Sequence, residues 1–380
     1  MGITRFYLPT RFIIGAGSLA QLWNETSRLG KTAMLVTGKS SMRKTGVLDK
    51  ILKDLEEKGV QAKLFEKVEP NPRVSTIDEG AQIARENNIE VIIGLGGGSP
   101  MDASKCIALA AGGSDPICAY YEGKVAGKPK ALPIILVPTV AASGSEANNG
   151  AVITRWDTHE KVVLMHPQTY PRVSIVDPAL TLTLPAKVTA QGGVDIFCHL
   201  VESYITATES TLINDSLNES CMRTVVESLP PLLKKLDDLE LRSRLTWAST
   251  IACSQFAGLG GGGGMMTLHG IEHALSAVYD IAHGDGLATL LIAWMKYTYS
   301  AREDRFKSLG KNVFGKPDGL TATEEWLKTI GMAHRLKDLG ACEADFNSLA
   351  CNALKTAAWV KLHPKPMDEE AISAIYKASF

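Results

Sequence analysis

Four histidines and one aspartate in the second half of the chain have the types and spacing of metal ligands. Asp195 and His199 are four residues apart, and His269 and His273 repeat that spacing, so each pair would lie on one face of a helix. His283 follows at the start of a predicted glycine-broken turn. One carboxylate and three imidazoles can hold a divalent first-row metal. A single histidine is more simply a core or surface residue, but half of the eight histidines fall in this group.

A second candidate site lies in the first half, where predicted strands end. Residues 96–99, Gly-Gly-Gly-Ser, join a predicted strand to a predicted helix. Glycines let the backbone approach a phosphate closely, and a helix N-terminus offers free N–H groups. Residues 139–146 form a second loop of small residues after another strand. Two such loops suit a dinucleotide at the edge of a sheet, although a ligand-free turn and a simple helix cap would have the same composition.

The elements that must position these residues differ between the two halves of the chain. Alternating strand and helix patterns predict a mostly parallel sheet covered by helices. The predicted strands are 33–37, 61–68, 90–95, 134–137, 152–156, 161–165 and 173–176, and the predicted helices are 47–58, 75–87 and 101–111. After Pro185 the pattern predicts only helices, over 188–208, 215–236, 239–256, 266–279, 286–300, 323–330, 344–362 and 368–377. We therefore predict an α/β dinucleotide-binding domain over 1–185 and an all-helical metal-binding domain over 186–380.

Composition narrows the class of protein. The chain has 380 residues, of which 45% are hydrophobic, and a formal net charge of −1, so no basic field favours nucleic acid. Its seven cysteines form no CxxC pair, which is typical of reduced thiols in a cytoplasm. Residues 1–6 lack the apolar core of a signal peptide, and no apolar run is long enough to cross a bilayer. We expect a soluble cytoplasmic protein without a nucleic-acid or membrane partner.

Several motifs together resemble the iron-containing (group III) alcohol dehydrogenase family, in particular its butanol dehydrogenases and aldehyde reductases. Residues 96–105, GGGSPMDASK, are similar to the family's cofactor motif, and residues 138–146 are similar to its second cofactor loop. Lys161 resembles a family lysine near the cofactor. Residues 193–202 and 269–284 resemble the two metal-binding segments, including Glu202 and Glu272. The likeness extends from Pro9 to Met367 and so covers nearly the whole chain.

The resemblance implies a fold, a site and an activity. The fold would be α/β plus all-α, with an N-terminal Rossmann-like parallel-sheet domain, a C-terminal helical domain and the active site in the cleft between them. The metal would be bound by Asp195, His199, His269 and His283, and His273 would line the site without binding metal. Iron is the metal that the family name implies, while zinc should bind such ligands at least as tightly. The expected assembly is a homodimer or a higher homo-oligomer.

The chemistry of an alcohol dehydrogenase agrees with these residues. A divalent metal acts as a Lewis acid on the oxygen of an alcohol or carbonyl, and a nicotinamide cofactor exchanges the hydride. His273 could relay the proton, since the pKa of an unperturbed histidine is near neutrality. We therefore expect a metal-dependent enzyme that transfers hydride between NADP(H) or NAD(H) and a small primary alcohol or aldehyde. Cys198, offset by one residue from His199, is expected to pack in the core.

The end of the first predicted strand bears on cofactor preference. Sites selective for NAD commonly place an acidic side chain after an early strand, whereas this strand ends at Gly38. Gly38 would leave room for a 2′-phosphate, and Ser40 and Ser41 would offer hydroxyl donors. The basic residues that could offset the phosphate charge are Lys39, Arg43 and Lys44. The sequence thus predicts a preference for NADP(H), unless these basic residues are only a solvated helix start.

The full set of predicted cofactor contacts and the alternative functions complete the hypothesis. The cofactor residues are Gly38, Ser40, Ser41, Gly96, Gly97, Gly98, Ser99, Asp102, Thr139, Ser143 and Lys161. Glycerol dehydrogenase- and maleylacetate reductase-like oxidoreductases are alternatives within the fold. A dehydroquinate synthase-like lyase is another, disfavoured because residues 265–275 contain no Arg or Lys for a phosphorylated substrate. A non-enzymatic metal-binding protein is disfavoured by the intact glycines at 96–98. The chain departs from the family pattern at three places, which are Cys198, residues 140–142 and the glycine run 258–264. These departures affect the expected shape of the substrate pocket more than the expected metal or reaction.

Overall fold

The computed structural model describes residues 5–125, 130–259 and 264–380. Most of the glycine run at 258–264 and the first four residues of the N-terminus lie outside the described residues. The strands are β1 (Arg11–Ile14), β2 (Thr32–Gly38), β3 (Gln61–Val68), β4 (Val91–Gly96), β5 (Ile134–Pro138), β6 (Gly150–Arg155), β7 (Glu160–Met165) and β8 (Val173–Val176). The helices of this half are α1 (Leu22–Leu29), α2 (Ser41–Lys44), α3 (Val47–Glu57), α4 (Val74–Glu86), α5 (Gly98–Ala111) and α6 (Ile117–Tyr121).

Six of the strands form one parallel sheet, in the order β1-β8-β5-β4-β2-β3. Its central strands are buried on both faces because helices cover both sides. Met34 and Ile92 point into the core under α4 and α5, while Leu35 and Ile93 point into the core under α1 and α3. The near-continuous apolar runs that marked these strands in the sequence follow from this double burial.

The carboxyl ends of β2, β4 and β5 lie side by side at one edge of the sheet. Thr37 of β2 is paired with Leu95 of β4, and Gly96 of β4 is paired with Pro138 of β5. The three loops that follow these strands therefore leave the sheet at the same edge. In open α/β sheets this is the edge at which ligands bind.

Two features of the strands were not given by the sequence pattern. β6 and β7 were predicted as strands without assigned neighbours, and they form a separate antiparallel hairpin, because a turn of four residues cannot carry a chain back to a parallel position. β1 was not predicted: it has four residues and forms the edge of the sheet, where only β8 pairs with it. Its residues are exposed or half-buried, so it lacks the buried apolar pattern of the central strands.

The second half is helical, as predicted: residues 186–259 and 264–380 contain no strand. Its α-helices are α7 (Ala186–Thr206), α8 (Leu212–Lys234), α9 (Leu239–Ala252), α10 (Thr267–Tyr279), α11 (His283–Tyr299), α12 (Glu303–Leu309), α13 (Gly319–Thr329), α14 (Phe346–Thr356) and α15 (Glu369–Ala378). A π-helical turn spans Gly310–Phe314. Short 3₁₀ helices occur at Ser18–Gln21, Ser145–Ala147, Pro167–Thr169, Pro178–Thr181, Gln255–Gly258, Leu336–Leu339, Glu343–Asp345 and Ala358–Leu362. The fold class predicted from the sequence is confirmed, while the domain boundary at residue 185 stays a prediction.

Three details of the helical half differ from the sequence-based expectation. The predicted helix 344–362 is divided into α14 and a 3₁₀ helix, and α12 was not predicted. The predicted glycine-broken turn at His283 is the first turn of α11. One large apolar core joins these helices and includes the fully buried Cys198, in agreement with its predicted packing role.

None of the described helices is long and apolar enough to cross a membrane.

Candidate active site

Three imidazole nitrogens converge on one carboxylate oxygen of Asp195. Its Oδ1 lies 3.5 Å from His199 Nδ1, 3.4 Å from His269 Nε2 and 3.7 Å from His283 Nε2. Asp195 and His199 are one turn apart on α7, His269 is on α10, and His283 begins α11. Ligands bonded tetrahedrally at about 2.1 Å to one ion lie about 3.4 Å apart. The ligand atoms of Asp195, His199 and His269 lie within 4.8 Å of one another and suit a single metal, whereas His283 groups with Glu272 and His273 and reaches this centre through Asp195.

The ligand atoms also lack other partners. Asp195 Oδ1, His199 Nδ1 and His269 Nε2 are buried and have no hydrogen-bond partner among the described residues. A buried polar atom left without a partner costs about 1–3 kcal/mol, which makes three such atoms in one place unfavourable unless a ligand binds them. The His283 side chain is 27% exposed and so leaves the group open on one side. The donor set and its burial therefore fit a divalent metal with room for a further ligand.

Glu202 orients His269 from the side opposite the predicted metal. The His269 Nδ1–H donates to Glu202 Oε1 at 2.5 Å, which turns Nε2 toward Asp195. The backbone N–H groups of Leu268 and His269 donate to Glu202 Oε2 at 2.6 and 3.2 Å. Glu202 is fully buried on α7. The carboxylate thus selects the tautomer in which His269 can bind a metal.

Glu272 has the same role for His283. The His283 Nδ1–H donates to Glu272 Oε2, and the Ser276 hydroxyl donates to Oε1. Glu272 is fully buried on α10, and its side chain occupies the space next to Gly286 in the first turn of α11. A Cβ added to Gly286 would lie 2.5 Å from Glu272 Oε1, so only glycine allows this approach. The glycines after His283 therefore allow the first turn of α11 to pack closely against its neighbours, and they do not interrupt the helix.

The charges of these groups are set by burial and by one another. Burial lowers the pKa of His199 to about 3. Burial acts on His269 in the same direction, but Glu202 and Asp195 outweigh it and raise the pKa of His269 to about 10. The pKa of Asp195 lies below its usual range because the neighbouring imidazoles outweigh the effect of burial. In the absence of a metal, His269 therefore carries the proton that a metal must displace.

His273 lies beside the predicted ligands without facing Asp195. It is buried one turn after His269 on α10, and its ring centroid is 5.6 Å from that of His283. Its Nδ1 has no hydrogen-bond partner among the described residues. Burial, reinforced by the charge of Lys161, holds the pKa of His273 well below its ordinary value. The pKa of His273 therefore lies below that of an unperturbed histidine, so the imidazole is neutral at neutral pH, and its role as a proton relay stays a prediction.

The glycine loop leads directly into α5. Gly96 ends β4 with φ +146°, a conformation that favours glycine, and Gly97 is the N-cap of α5. Gly98 and Ser99 are the first two residues of this fourteen-residue helix. The predicted arrangement of a glycine loop at a helix N-terminus is present, with α5 beginning two residues before Pro100, the first helical position that the sequence indicated.

The second loop packs against the first. The backbone N–H of Thr139 donates to the carbonyl of Gly96 at 2.9 Å. A Cβ added to Gly98 would lie 2.9 Å from the Ser143 Oγ, so a side chain at 98 would require Ser143 to shift. Ser145 begins a short 3₁₀ helix, and its N–H is 3.4 Å from the Ser143 Oγ. The two predicted cofactor loops therefore form one continuous surface.

Asp102 holds these loops in place. Its Oδ1 accepts a hydrogen bond from the Ser145 hydroxyl at 2.6 Å, and its Oδ2 accepts one from the N–H of Val152 at 2.9 Å. Asp102 is 8% exposed, and burial raises its pKa. Lys105, which is fully buried one turn later, donates to Asn148 Oδ1 at 3.0 Å. Both carboxylate oxygens of Asp102 are used inside the protein, which favours positioning over direct cofactor contact.

The loop after β2 has open space next to Gly38. A Cβ added there would meet only the carbonyl oxygen of Val68, at 3.6 Å, an ordinary contact distance. Ser40 and Ser41 follow at the start of α2. Arg43 is engaged elsewhere, since its guanidinium lies 2.9 Å from the Glu66 carboxylate. The cations nearest the loop and less firmly held are Lys39, which is 3.9 Å from Glu69, and Lys44.

Comparison with known proteins agrees with the geometry of the site. Residues 9–178 match the family described as iron-containing alcohol dehydrogenase, and residues 189–380 match the C-terminal region of the Fe-containing alcohol dehydrogenase family. The chain belongs to the iron-containing alcohol dehydrogenase family. The sequence-based recognition of the family and the expected reaction class, alcohol dehydrogenase or aldehyde reductase, are therefore confirmed.

Similar proteins of the iron-containing alcohol dehydrogenase family include users of both nicotinamide cofactors. "Probable NADH-dependent butanol dehydrogenase 1" of Bacillus subtilis (strain 168) is 36% identical, with 98% of each chain covered. The NADPH-dependent aldehyde reductase YqhD of Escherichia coli (strain K12) is 31% identical over 88% of each chain. The crystal structure of NADH-dependent butanol dehydrogenase A from Thermotoga maritima has a TM-score of 0.94 and 34% identity, and covers 100% of this chain and 99% of that one.

Sequence reasoning did not assign roles to the two buried glutamates. Glu202 and Glu272 stood in the family-like segments but were not predicted to contact particular histidines. Glu202 is sixty-seven residues from His269, and Glu272 is eleven from His283. Their partners lie on other helices, so only tertiary packing pairs them. An Asp or Glu beside ligand-type histidines was the available signal, because metal-binding histidines commonly donate their second N–H to a carboxylate.

Proposed function

We propose that this protein is a metal-dependent alcohol dehydrogenase or aldehyde reductase that transfers a hydride between a nicotinamide cofactor and a small primary alcohol or aldehyde. The observation that carries the proposal is the convergence of three imidazole nitrogens on Asp195 Oδ1, at 3.4 to 3.7 Å. The similar proteins are a butanol dehydrogenase and an aldehyde reductase by name, which supports the substrate class.

The proposed metal ligands are Asp195, His199, His269 and His283. When bound, a divalent metal supplies Lewis acidity toward the oxygen of the alcohol or carbonyl. Iron is the metal implied by the family, and zinc is the alternative because nitrogen and oxygen ligands bind it at least as tightly as ferrous iron. Glu202 and Glu272 keep two of the imidazoles in the required tautomer and orientation.

His273 is the proposed proton relay and Lys161 a proposed cofactor contact. His273 is buried and neutral at neutral pH, so its unpartnered Nδ1 can accept a proton from an alcohol, directly or through water. Lys161 is buried on β7, and its Nζ lies 3.9 Å from Glu272 Oε2. The remaining proposed cofactor contacts are the two loops at residues 96–99 and 139–143, with Asp102 holding them together.

We further infer a preference for NADP(H) over NAD(H). The open space at Gly38, the hydroxyl groups of Ser40 and Ser41, and the exposed ammonium of Lys39 support a 2′-phosphate subsite at the end of β2. Arg43 contributes less than the sequence indicated because Glu66 already neutralises it. One similar protein is named as NADH-dependent and another as NADPH-dependent, so the preference is inferred from the residues of this chain.

A homo-oligomeric assembly and a cytoplasmic location complete the proposal. β1 is an edge strand, and the exposed aromatic residues near it include Tyr7, Trp247 and Phe256, with exposed fractions of 61%, 51% and 39%. An edge strand beside an apolar surface favours association with a second copy. All seven cysteines are free thiols, which supports a reducing compartment.

The function is tested by a spectrophotometric screen. Protein loaded anaerobically with Fe(II) or Zn(II) is mixed with NADPH or NADH and a series of short aldehydes, and the loss of reduced cofactor is followed. We expect turnover with small primary aldehydes that depends on added metal. Absence of metal-dependent oxidation of both cofactors across the series would contradict the proposed activity. A chelator-treated sample and a sample without aldehyde are the controls.

A further inference from the structure

One oxygen of Glu272 contacts both halves of the protein. Glu272 Oε2 accepts the Nδ1–H of His283, a proposed metal ligand, and lies 3.9 Å from the Nζ of Lys161. Lys161 belongs to the β6–β7 hairpin, whereas His283 and Glu272 belong to the helical half. The carboxylate and the lysine are both buried, so solvent screens this contact only weakly.

Glu202 provides an internal comparison. It too is a fully buried glutamate that accepts the Nδ1–H of a proposed ligand, His269. Its other hydrogen-bond donors, the N–H groups of Leu268 and His269, come from α10. Among the hydrogen bonds and ion pairs of the described residues, Glu202 has no partner in the sheet-containing half. The two glutamates thus differ in one respect: only Glu272 also faces a cation of the α/β half.

We propose that Glu272 is a positioning residue that makes metal affinity depend on cofactor occupancy, through Lys161 on one side and His283 on the other. The proposal rests on the proposed function, because it takes Lys161 as a cofactor contact and His283 as a metal ligand. Glu202 positions His269 without this dependence. The inference concerns how the two sites influence each other and adds no step to the hydride transfer.

The sign of the effect follows from the shared oxygen. Without cofactor, the ammonium of Lys161 draws negative charge on Glu272 Oε2 toward itself, which weakens the carboxylate as an acceptor for His283. An anionic dinucleotide that engages Lys161 leaves Oε2 to His283 alone. A stronger carboxylate partner makes the Nε2 of His283 a better metal ligand. The cofactor should therefore tighten metal binding, and by linkage the metal should tighten cofactor binding by the same factor.

The test compares the metal affinity of the full-length protein with and without cofactor. The dissociation constant of Zn(II) is measured by competition with a fluorescent chelator, alone and with saturating oxidised cofactor, so that no turnover occurs. The variants are Glu272→Gln, Lys161→Met and, as the matched control, Glu202→Gln. Circular dichroism of each metal-free variant checks that the fold is retained. The cofactor dissociation constant, measured with and without Zn(II), gives the reciprocal half of the cycle.

The expected results separate the two glutamates. Both Glu→Gln variants should weaken Zn(II) binding by about 10- to 100-fold, because each loses the charged partner of a ligand histidine. In the wild type and in Glu202→Gln, cofactor should tighten Zn(II) binding by about fivefold or more. In Glu272→Gln and Lys161→Met, the factor by which cofactor tightens Zn(II) binding should fall close to one. If Glu272→Gln fails to fold, Lys161→Met still tests the inference.

Two outcomes would overturn the inference while leaving the proposed function intact. One is a wild-type protein that binds Zn(II) and cofactor independently, and the other is a Lys161→Met or Glu272→Gln variant that keeps the wild-type factor. Failure of the proposed function has a different signature, since the wild type would then bind no stoichiometric metal or would oxidise neither reduced cofactor with any aldehyde.

Discussion

At the scale of single residues, the candidate site depends on which nitrogen of each imidazole faces the centre. His269 and His283 present Nε2 to Asp195 and donate Nδ1–H to a buried glutamate, whereas His199 presents Nδ1. The buried glutamates therefore fix the orientation of His269 and His283 before any metal binds, and His269 must still lose its Nε2 proton to become a ligand. This preorganisation is the physical basis of the residue-level predictions.

Substitution of a ligand should remove the metal without unfolding the protein. His269→Ala or His283→Ala should abolish stoichiometric metal binding and activity, because each removes one of the three imidazole ligands around Asp195 Oδ1. Metal content by elemental analysis, turnover and thermal unfolding of the metal-free protein are the measurements. His363→Ala is the control, at a buried histidine whose hydrogen-bond partners among the described residues are Thr298 and Lys365. Full metal occupancy in either ligand variant would refute the assignment.

Metal binding should tighten as the pH rises. His269, with a pKa of about 10, is protonated at neutral pH in the absence of metal and must lose that proton to bind through Nε2. The Zn(II) dissociation constant should therefore fall about tenfold per pH unit between roughly pH 6 and pH 9. Chelator competition and proton release in weak buffer measure the effect. Glu202→Gln should flatten the slope, because Glu202 is a main cause of the raised pKa; a pH-independent affinity in the wild type would contradict the prediction.

Removal of the proposed proton relay should slow the reaction but leave the metal in place. His273 does not face Asp195, so His273→Ala should keep wild-type metal content. The loss of a group that accepts a proton should reduce kcat by about 10²- to 10⁴-fold and alter the dependence of kcat on pH. Stopped-flow and steady-state rates across a pH series measure both effects. An unchanged pH profile would show that His273 only packs beside the ligands.

At the scale of elements, the site is made where helices and strand ends meet. α7 supplies Asp195 and His199, α10 supplies His269, and α11 supplies His283 through its first turn. Gly284 and Gly286 allow α11 to approach α7 and α10, since a Cβ at either position would lie within 2.6 Å of another atom. In the α/β half, the ends of β2, β4 and β5 align because the strands are parallel and in register. The loops at these strand ends are where cofactor selectivity can be tested.

A carboxylate at the end of β2 should change the cofactor preference. Gly38→Asp adds a side chain where a Cβ fits without a clash, so the fold should be unaffected. Its negative charge would repel a 2′-phosphate, and like-charge contacts at an interface cost several kcal/mol, so the NADPH/NADH ratio of kcat/KM should fall about a hundredfold. Gly38→Asn is the uncharged control. A wild-type ratio that favours NADH, or a ratio unmoved by Gly38→Asp, would show that this loop does not recognise the 2′ position.

At the scale of the whole molecule, contacts between the halves hold the loop before α11. Asn71 and Arg73, which follow β3, both donate to the Asp280 carboxylate at 2.9 Å. Asp280 adopts a left-handed conformation with φ +51° three residues before His283. The sheet-containing half therefore helps to set the position of a residue in the candidate metal site. The opposite side of the sheet, at β1, ends in an unpaired edge beside exposed aromatic rings.

Association should depend on the surface beside β1. Trp247, 51% exposed, contributes to an apolar cleft with Phe12 and Phe256. Trp247→Glu should convert an oligomer to smaller species by placing a charge in a desolvated interface. Light scattering after size-exclusion chromatography gives the mass of wild type and variant. Leu362→Glu, at an apolar side chain that is 62% exposed, is the matched control. A wild-type monomer, or an unchanged mass in the Trp247 variant, would exclude this surface.

The sequence by itself determined the kinds of element and the identity of the candidate ligands. Parallel strands buried on both faces have continuous apolar runs, and amphipathic helices place residues four apart on one face, so both patterns can be recognised locally. Asp195 with His199, and the loop at residues 96–99, were found for that reason. The motifs also allowed the family to be recognised, because they are short and contiguous in the chain.

Only the tertiary structure decided which partners these residues have and which protonation states follow. Glu202 reaches His269 across helices, Glu272 lies between His283 and Lys161, and neither contact leaves a periodic signal in the chain. Burial, which lowers the pKa of His273 well below neutrality, is likewise a property of packing. The pairing of β6 with β7 also depends on tertiary structure, because a strand pattern reports local burial, while the choice of neighbouring strand depends on where the chain can return.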